Sequence, residues 1–216
     1  MRKFKSSLLL AIVFLSFSAF AQSFEGKVTL TIQDDKSGEA KSLDYFTDGK
    51  QGAFLVKEQG MDLSLIMKEN TMYMVLHPMK MYVAIPLDGK GVNKDSVAKA
   101  ESSIVNTGET KMINGMLCTK YFLNINDKEK STAWFTKELG GFFLFNMDNN
   151  GEGPMGAFGD MKALSDQFPV LVTELRDGNE VVMLEVKNVE KMSVDKKIFE
   201  IPAGFKPMEQ GMFDQQ

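Results

Sequence analysis

Residues 61–86, MDLSLIMKENTMYMVLHPMKMYVAIP, decide the fold. Met61, Leu63, Leu65 and Met67 fall on one side of an extended chain, against Asp62, Ser64 and Lys68. Glu69-Asn70 reads as a turn, after which Met72, Met74 and Leu76 share a side. His77-Pro78 turns the chain again, and Met79, Met81, Val83 and Ile85 alternate with Lys80, Tyr82 and Ala84. Side chains alternate faces along a strand, so this period of two, punctuated by turns, predicts three successive antiparallel strands with one apolar face.

The same pattern extends outward. Phe24–Gln33, Lys41–Thr47 and Gln51–Lys57 read as strands before the segment. After it come Thr107–Ile113, Met116–Ile125, Ser131–Thr136, Pro169–Leu175 and Glu180–Val189, with Phe199–Ile201 as a further edge strand. Asn114-Gly115 is a strong two-residue hairpin signal. Asp95–Val105 and Phe158–Gln167 lack the alternation and are expected to be short helices. The expected class is α+β, mainly antiparallel β: about ten or eleven strands in a curved, incomplete β-barrel, with two or three short helices as a lid. An apolar sheet face must be covered. Two or three short helices cover only part of it, which leaves a packed interior or a cavity for an apolar ligand.

Composition narrows the function. The chain has 216 residues, one His, one Cys and 16 Met. One Cys builds neither a disulfide nor a thiolate zinc site, and one His builds no multi-histidine centre. A net charge of −4 does not fit a nucleic-acid binder, which needs a basic face to neutralise phosphates. Arg2, Lys3 and Lys5 precede the apolar run Leu8–Phe20 and the small-x-small site Ala19-Phe20-Ala21, the pattern of a secretory signal peptide over residues 1–21. Leu8–Phe20 is 13 residues, short of the roughly 20 a spanning helix needs. No Cys follows the site, so no lipoprotein anchor is expected. Removing the leader leaves 22 basic against 29 acidic residues. The expectation is a soluble exported protein, periplasmic or extracellular, with one domain over residues 22–206, a loose tail over 207–216 and no integral membrane segment.

An ordered set of short motifs spans most of the mature chain. It comprises Phe24-x-Gly26, Met79-x-Met81-Tyr82 leading to Pro86, Thr107-Gly108, Ile113-x-Gly115, Cys118-x-x-Tyr121, Ala133-Trp134-Phe135-Thr136 and Phe199-x-Ile201-Pro202-Ala203-Gly204-Phe205. This set resembles a family of exported bacterial proteins with a domain of unknown function. That family is similar to the superfamily of the periplasmic lipoprotein carrier LolA and the outer-membrane receptor LolB. The resemblance implies an incomplete barrel around a hydrophobic cavity, with helices as a lid, and ligands that carry acyl chains. No motif transfers a particular functional residue, and fold analogy alone does not give function.

Motifs that could carry chemistry are few. Gly151-x-Gly153-x-x-Gly156 matches the dinucleotide fingerprint by letter, but Pro154 interrupts it and its neighbours are hairpins rather than a βαβ unit. Asp148, Asn150, Glu152 and Gly153 fit the start of a calcium loop, yet position twelve is Gly159 rather than Glu. His77 reads as a turn residue with no assigned Ser or Cys partner, and Cys118 as a buried structural thiol. No nucleophile–base pair assembles, so no enzyme, metal or cofactor is expected.

The methionines say most. Six lie between Met61 and Met81. Flexible thioethers fill core gaps, or line a pocket that repacks around varied apolar chains. The expected ligand face is Met61, Leu63, Leu65, Met67, Met72, Met74, Leu76, Met79, Met81 and Val83, under a lid of Phe142, Phe143, Phe145, Phe158, Met161 and Leu164. The expected partner is a hydrophobic small molecule or a lipid-modified protein. Two alternatives stand beside it: a cell-envelope interaction module with a filled core, and a Cu(I) protein using Met72-x-Met74 and Met79-x-Met81, since thioethers are soft ligands.

Overall fold

The computed structural model describes residues 23–33, 38–58, 61–87, 103–125, 129–143, 162–176 and 178–208. They form a single 12-stranded sheet: β1 (Gly26–Gln33), β2 (Ala40–Thr47), β3 (Gly52–Glu58), β4 (Met61–Lys68), β5 (Thr71–Leu76), β6 (Met81–Pro86), β7 (Ser103–Ile113), β8 (Met116–Ile125), β9 (Glu129–Thr136), β10 (Phe168–Arg176), β11 (Asn179–Lys191) and β12 (Lys206–Pro207). The order across it is β12-β6-β5-β4-β3-β2-β1-β11-β10-β9-β8-β7. Two meanders, β1–β6 and β7–β11, therefore join through antiparallel pairing of β1 with β11, Gly26 lying opposite Lys191. Turn chemistry fixes the hairpins. Asn114 and Gly115 take φ of 50° and 78°, the paired left-handed conformation that matches strand twist. Pro169, which has no amide hydrogen to donate, sits beside a register shift in β10.

The sheet is open, and it curls. Tyr45 on β2 and Phe168 on β10 are three strands apart, about 14 Å on a flat sheet, yet their ring centroids are 5.4 Å apart. Between them lies the main core: Val28, Leu30, Tyr45, Leu184, Val186 and Val170 are fully buried, with Phe54, Phe142 and Phe168. A smaller cluster occupies the other face of β3–β6. There Ala53, Ile66 and Val75 are covered by Val194 and Phe199, with Tyr73, Tyr82, Ile198 and Phe205 around them.

The C-terminal segment is thus a strap. Its residues Lys196–Phe199 form a 3-10 turn rather than the expected edge strand Phe199–Ile201. The edge strand is β12 instead, parallel to β6, with Lys206 opposite Met81. Pro207 belongs to that strand, and the Met208 N–H donates to the Tyr82 carbonyl at 2.8 Å; residues 209–216 lie outside the described ones.

The expected helices are not what forms. Residues 103–105 open β7, and of Phe158–Gln167 the described part holds one 3-10 turn, Lys162–Leu164. Among the described residues no helix covers the sheet as a lid. The signal-peptide segment, residues 88–102, and the loop carrying the glycine and calcium motifs lie outside the described residues.

Candidate apolar site

Cross-strand partners share a face, so register alone assembles the site. Val28, Tyr45, Phe54, Leu65, Met74 and Val83 lie opposite one another in turn, forming one apolar row across six strands. On one side of it Val56, Leu63, Leu76 and Met81 form a second row. On the other, Gly52, Met67, Met72 and Ile85 form a third.

Burial grades across these rows. Met67 and Met72 are 1% and 5% exposed and belong to the main core. Leu63, Met74, Leu76 and Met81 are half-buried. Among the described residues they join neither core cluster. Apolar area is removed from water along the third row and left partly in it along the second. Covering that remainder is favourable by roughly 25 cal/mol per Å². Met79 does not share the face: it sits in the β5–β6 turn, 59% exposed, because the turn spans His77–Lys80 before the ladder resumes at Met81. Met61 belongs to β4 by its backbone, and its side chain lies outside the described ones.

The residues assigned to the lid divide. Phe142 and Leu164 are core, 0% and 2% exposed, with the Phe142 ring set edge-on to Phe54 and Phe168. Phe143 is half-buried against that core. Phe145, Phe158 and Met161 lie outside the described residues.

One polar atom interrupts the central row. The Tyr45 hydroxyl is buried and, among the described residues, has no partner within hydrogen-bonding geometry. Burial pushes its phenol well above the ordinary tyrosine range.

On the opposite face, His77 acquires a partner that its sequence did not reveal. Its Nε2 lies 2.8 Å from the Ser64 Oγ, and its ring meets Phe205 edge-on at 5.6 Å. The signal was the diagonal spacing of Ser64 and His77 across a hairpin, which becomes legible only with the register in hand: the His77 N–H bonds the Asp62 carbonyl. Cys118 lies on β8, in the other meander, where it is fully buried and its thiol faces the Met116 carbonyl at 3.5 Å. Trp134 is also buried, with the Lys111 ammonium 4.0 Å from its ring centre. Among the described residues no three His, Cys, Asp or Glu side chains gather as a metal site.

Residues 24–205 match a family described as a domain of unknown function, DUF4412. The chain belongs to the DUF4412 family. No curated protein matches this DUF4412 chain significantly. Among solved structures, an uncharacterized conserved protein from Thermus thermophilus is similar at a TM-score of 0.50 and 9% identity, over 87% of this chain and 91% of that one. At that identity the likeness speaks to fold alone. A structure of PNGF-II is similar at a TM-score of 0.47 and 13% identity, over 89% of the DUF4412 chain and 32% of that one, and it carries no argument.

Proposed function

We propose that the chain is an exported binding protein that holds an apolar ligand, a lipid or the acyl chain of a lipoprotein, against the Met/Leu face of β4–β6. The observation that carries this reading is the pair of rows Leu63–Leu76–Met81 and Leu65–Met74–Val83, aligned on one face, in which Leu63, Met74, Leu76 and Met81 stay half-buried and outside both core clusters. Unbranched thioethers on such a face repack around chains of different shape. The resemblance to LolA-like carriers supports the same ligand chemistry, and the basic, apolar, small-residue leader supports export. Native mass spectrometry of the purified protein, with displacement of a fluorescent acyl probe, tests it. Co-purified lipid and probe affinity that falls on Met74→Ala or Met81→Ala are expected. A lipid-free protein that leaves the probe undisturbed overturns the reading.

A second reading, an interaction module, rests on a different row. Val105, Phe122, Thr132, Thr173 and Val182 lie opposite one another across β7–β11, with Val105, Phe122 and Val182 exposed by 47%, 39% and 42%. Envelope pull-downs that survive delipidation and are lost on Phe122→Ser favour it.

A further inference from the structure

The second meander carries a cavity of about 400 Å³ that the apolar face does not reach. That volume falls at the low end of the range for small-molecule sites. Its accessible apolar wall is Leu117, 55% exposed, with the buried Phe135 ring behind it, set edge-on to Tyr121 at 5.4 Å between centroids. Its polar wall is a buried cluster. Gln167 and Tyr121 are 6% and 7% exposed, and Gln167 Nε2 donates to the Tyr121 hydroxyl at 3.1 Å. Asn106 Nδ2 donates to the same hydroxyl at 3.5 Å.

The backbone holds this cluster in place. The Gln167 N–H donates to the Leu164 carbonyl at 2.9 Å, and its carbonyl accepts from the Phe142 N–H at 3.1 Å. That approach requires Gly141, because a Cβ there would stand 2.1 Å from the Ser165 carbonyl oxygen. Gln167 therefore presents its amide from a position fixed on both sides, the kind of preorganised polar group that orients a ligand.

The charges at the rim are both engaged. Glu138 Oε1 accepts the Leu117 N–H at 2.8 Å, and Lys137 pairs with Asp166 at 2.9 Å. Lys137 and Glu138 are of opposite sign and both exposed, so the rim presents an entering anion or cation with no field of one sign. A purely apolar molecule would strip water from the Gln167 and Asn106 amides and return no hydrogen bonds. The lining suits a molecule that is uncharged, donates and accepts, and has one apolar face. We propose that this cavity binds a small neutral hydroxyl-rich ligand of sugar-ring size, lying on Leu117 and hydrogen-bonded by Gln167, Tyr121 and Asn106. This site is independent of the acyl-binding face.

The test is titration of the ¹⁵N-labelled full chain with glucose and with N-acetylglucosamine at millimolar concentrations, with phosphate and laurate as comparisons. Saturable shifts at the Leu117 amide and the Gln167 side-chain amide are expected with a sugar and not with phosphate. Gln167→Leu should weaken the sugar by about tenfold, since each lost hydrogen bond from a buried donor is felt at that scale. Tyr121→Phe, which keeps the ring, should weaken it in the same direction and serves as the readout if Gln167→Leu does not fold. No saturable shift with either sugar, or affinity unchanged in the folded variants, overturns the proposal. Laurate reports on the Met74 and Met81 backbone amides, so failure at one site is distinguishable from failure at the other.

Discussion

Lys196 Nζ donates to Asp48 Oδ2 at 2.7 Å, tying the C-terminal strap to the β2–β3 turn across 148 positions of sequence. The Asp48 side chain is 6% exposed while that of Lys196 is 64% exposed. Asp48 also accepts from the Lys50 and Gln51 N–H groups at 3.0 and 3.1 Å and from Gln51 Nε2 at 3.0 Å. Burial alone would raise this carboxyl, but the Lys196 ammonium and these donors outweigh it and hold it below the ordinary carboxylate range.

Asp48 therefore contributes stability that depends on its charge. The folded carboxyl titrates below the unfolded value of about 3.9, so its contribution is whole above about pH 4 and is lost as pH falls through the lower folded value. Asp48→Asn should destabilise the protein at pH 7 by about 1–3 kcal/mol and flatten the acid limb of the stability curve. Urea unfolding of both proteins at pH 7 and at pH 3 checks this. Curves that stay parallel across that range would count against it.

Met67 and Met81 lie on one face but differ in burial, and substitution should separate core from site. Met67→Ala should cost about 2–5 kcal/mol, the range for deleting a buried Met side chain. Met81→Ala, on a half-buried side chain, should cost less stability while weakening an acyl probe more. Paired denaturant unfolding and probe titration decide it; equal stability losses would place both residues in the core.

Tyr45 offers a prediction of opposite sign. Its buried hydroxyl lacks a partner among the described residues, and an unsatisfied buried polar group costs about 1–3 kcal/mol. Tyr45→Phe keeps the ring contacts with Phe54, Phe142 and Phe168 and should leave thermal stability unchanged or raise it. A clear fall in the melting temperature would show that the hydroxyl is satisfied by something the side chains do not supply.

Cys118 should be inert in the folded protein. Its burial raises the thiol above its ordinary range and disfavours the reactive thiolate. A water-soluble thiol reagent at pH 8 should label it slowly, and label it fully in urea. Rapid labelling of the native chain would contradict the buried placement on β8.

Strand existence was legible because the chain alternates: Leu63 to Met67, Met72 to Leu76 and Met81 to Ile85 each keep one parity, and the ladder places them opposite one another. Asn114-Gly115 fixed its hairpin because two left-handed residues in a row leave little choice of turn. Met79 was misplaced because parity continues through Lys80 even though the chain is turning there. The reverse face was under-read. Ile66, Tyr73, Val75 and Tyr82 interrupt its polar pattern, and their covering is a segment more than a hundred residues later, which no local period reports. The Ser64–His77 contact and the Tyr121–Gln167 pair were hidden for the same reason. Helix was expected over Asp95–Val105 from missing alternation. Its last three residues, Ser103–Val105, instead open β7 in regular register with Asn124, Leu123 and Phe122, a partner no local period reports, and the rest of that segment lies outside the described residues.

The seam between β1 and β11 also sets a timetable. As the chain is delivered from its N-terminus, β1 to β6 can form hairpins in order, but Val28 and Leu30 have no neighbour on their second side until Asn179–Lys191 has emerged. The centre of the molecule is the last large piece to close. A chain stalled or clipped before residue 179 holds two half-sheets with bare inner edges, which are templates for pairing with other chains. Both inner edges are closed by the same late segment, β11.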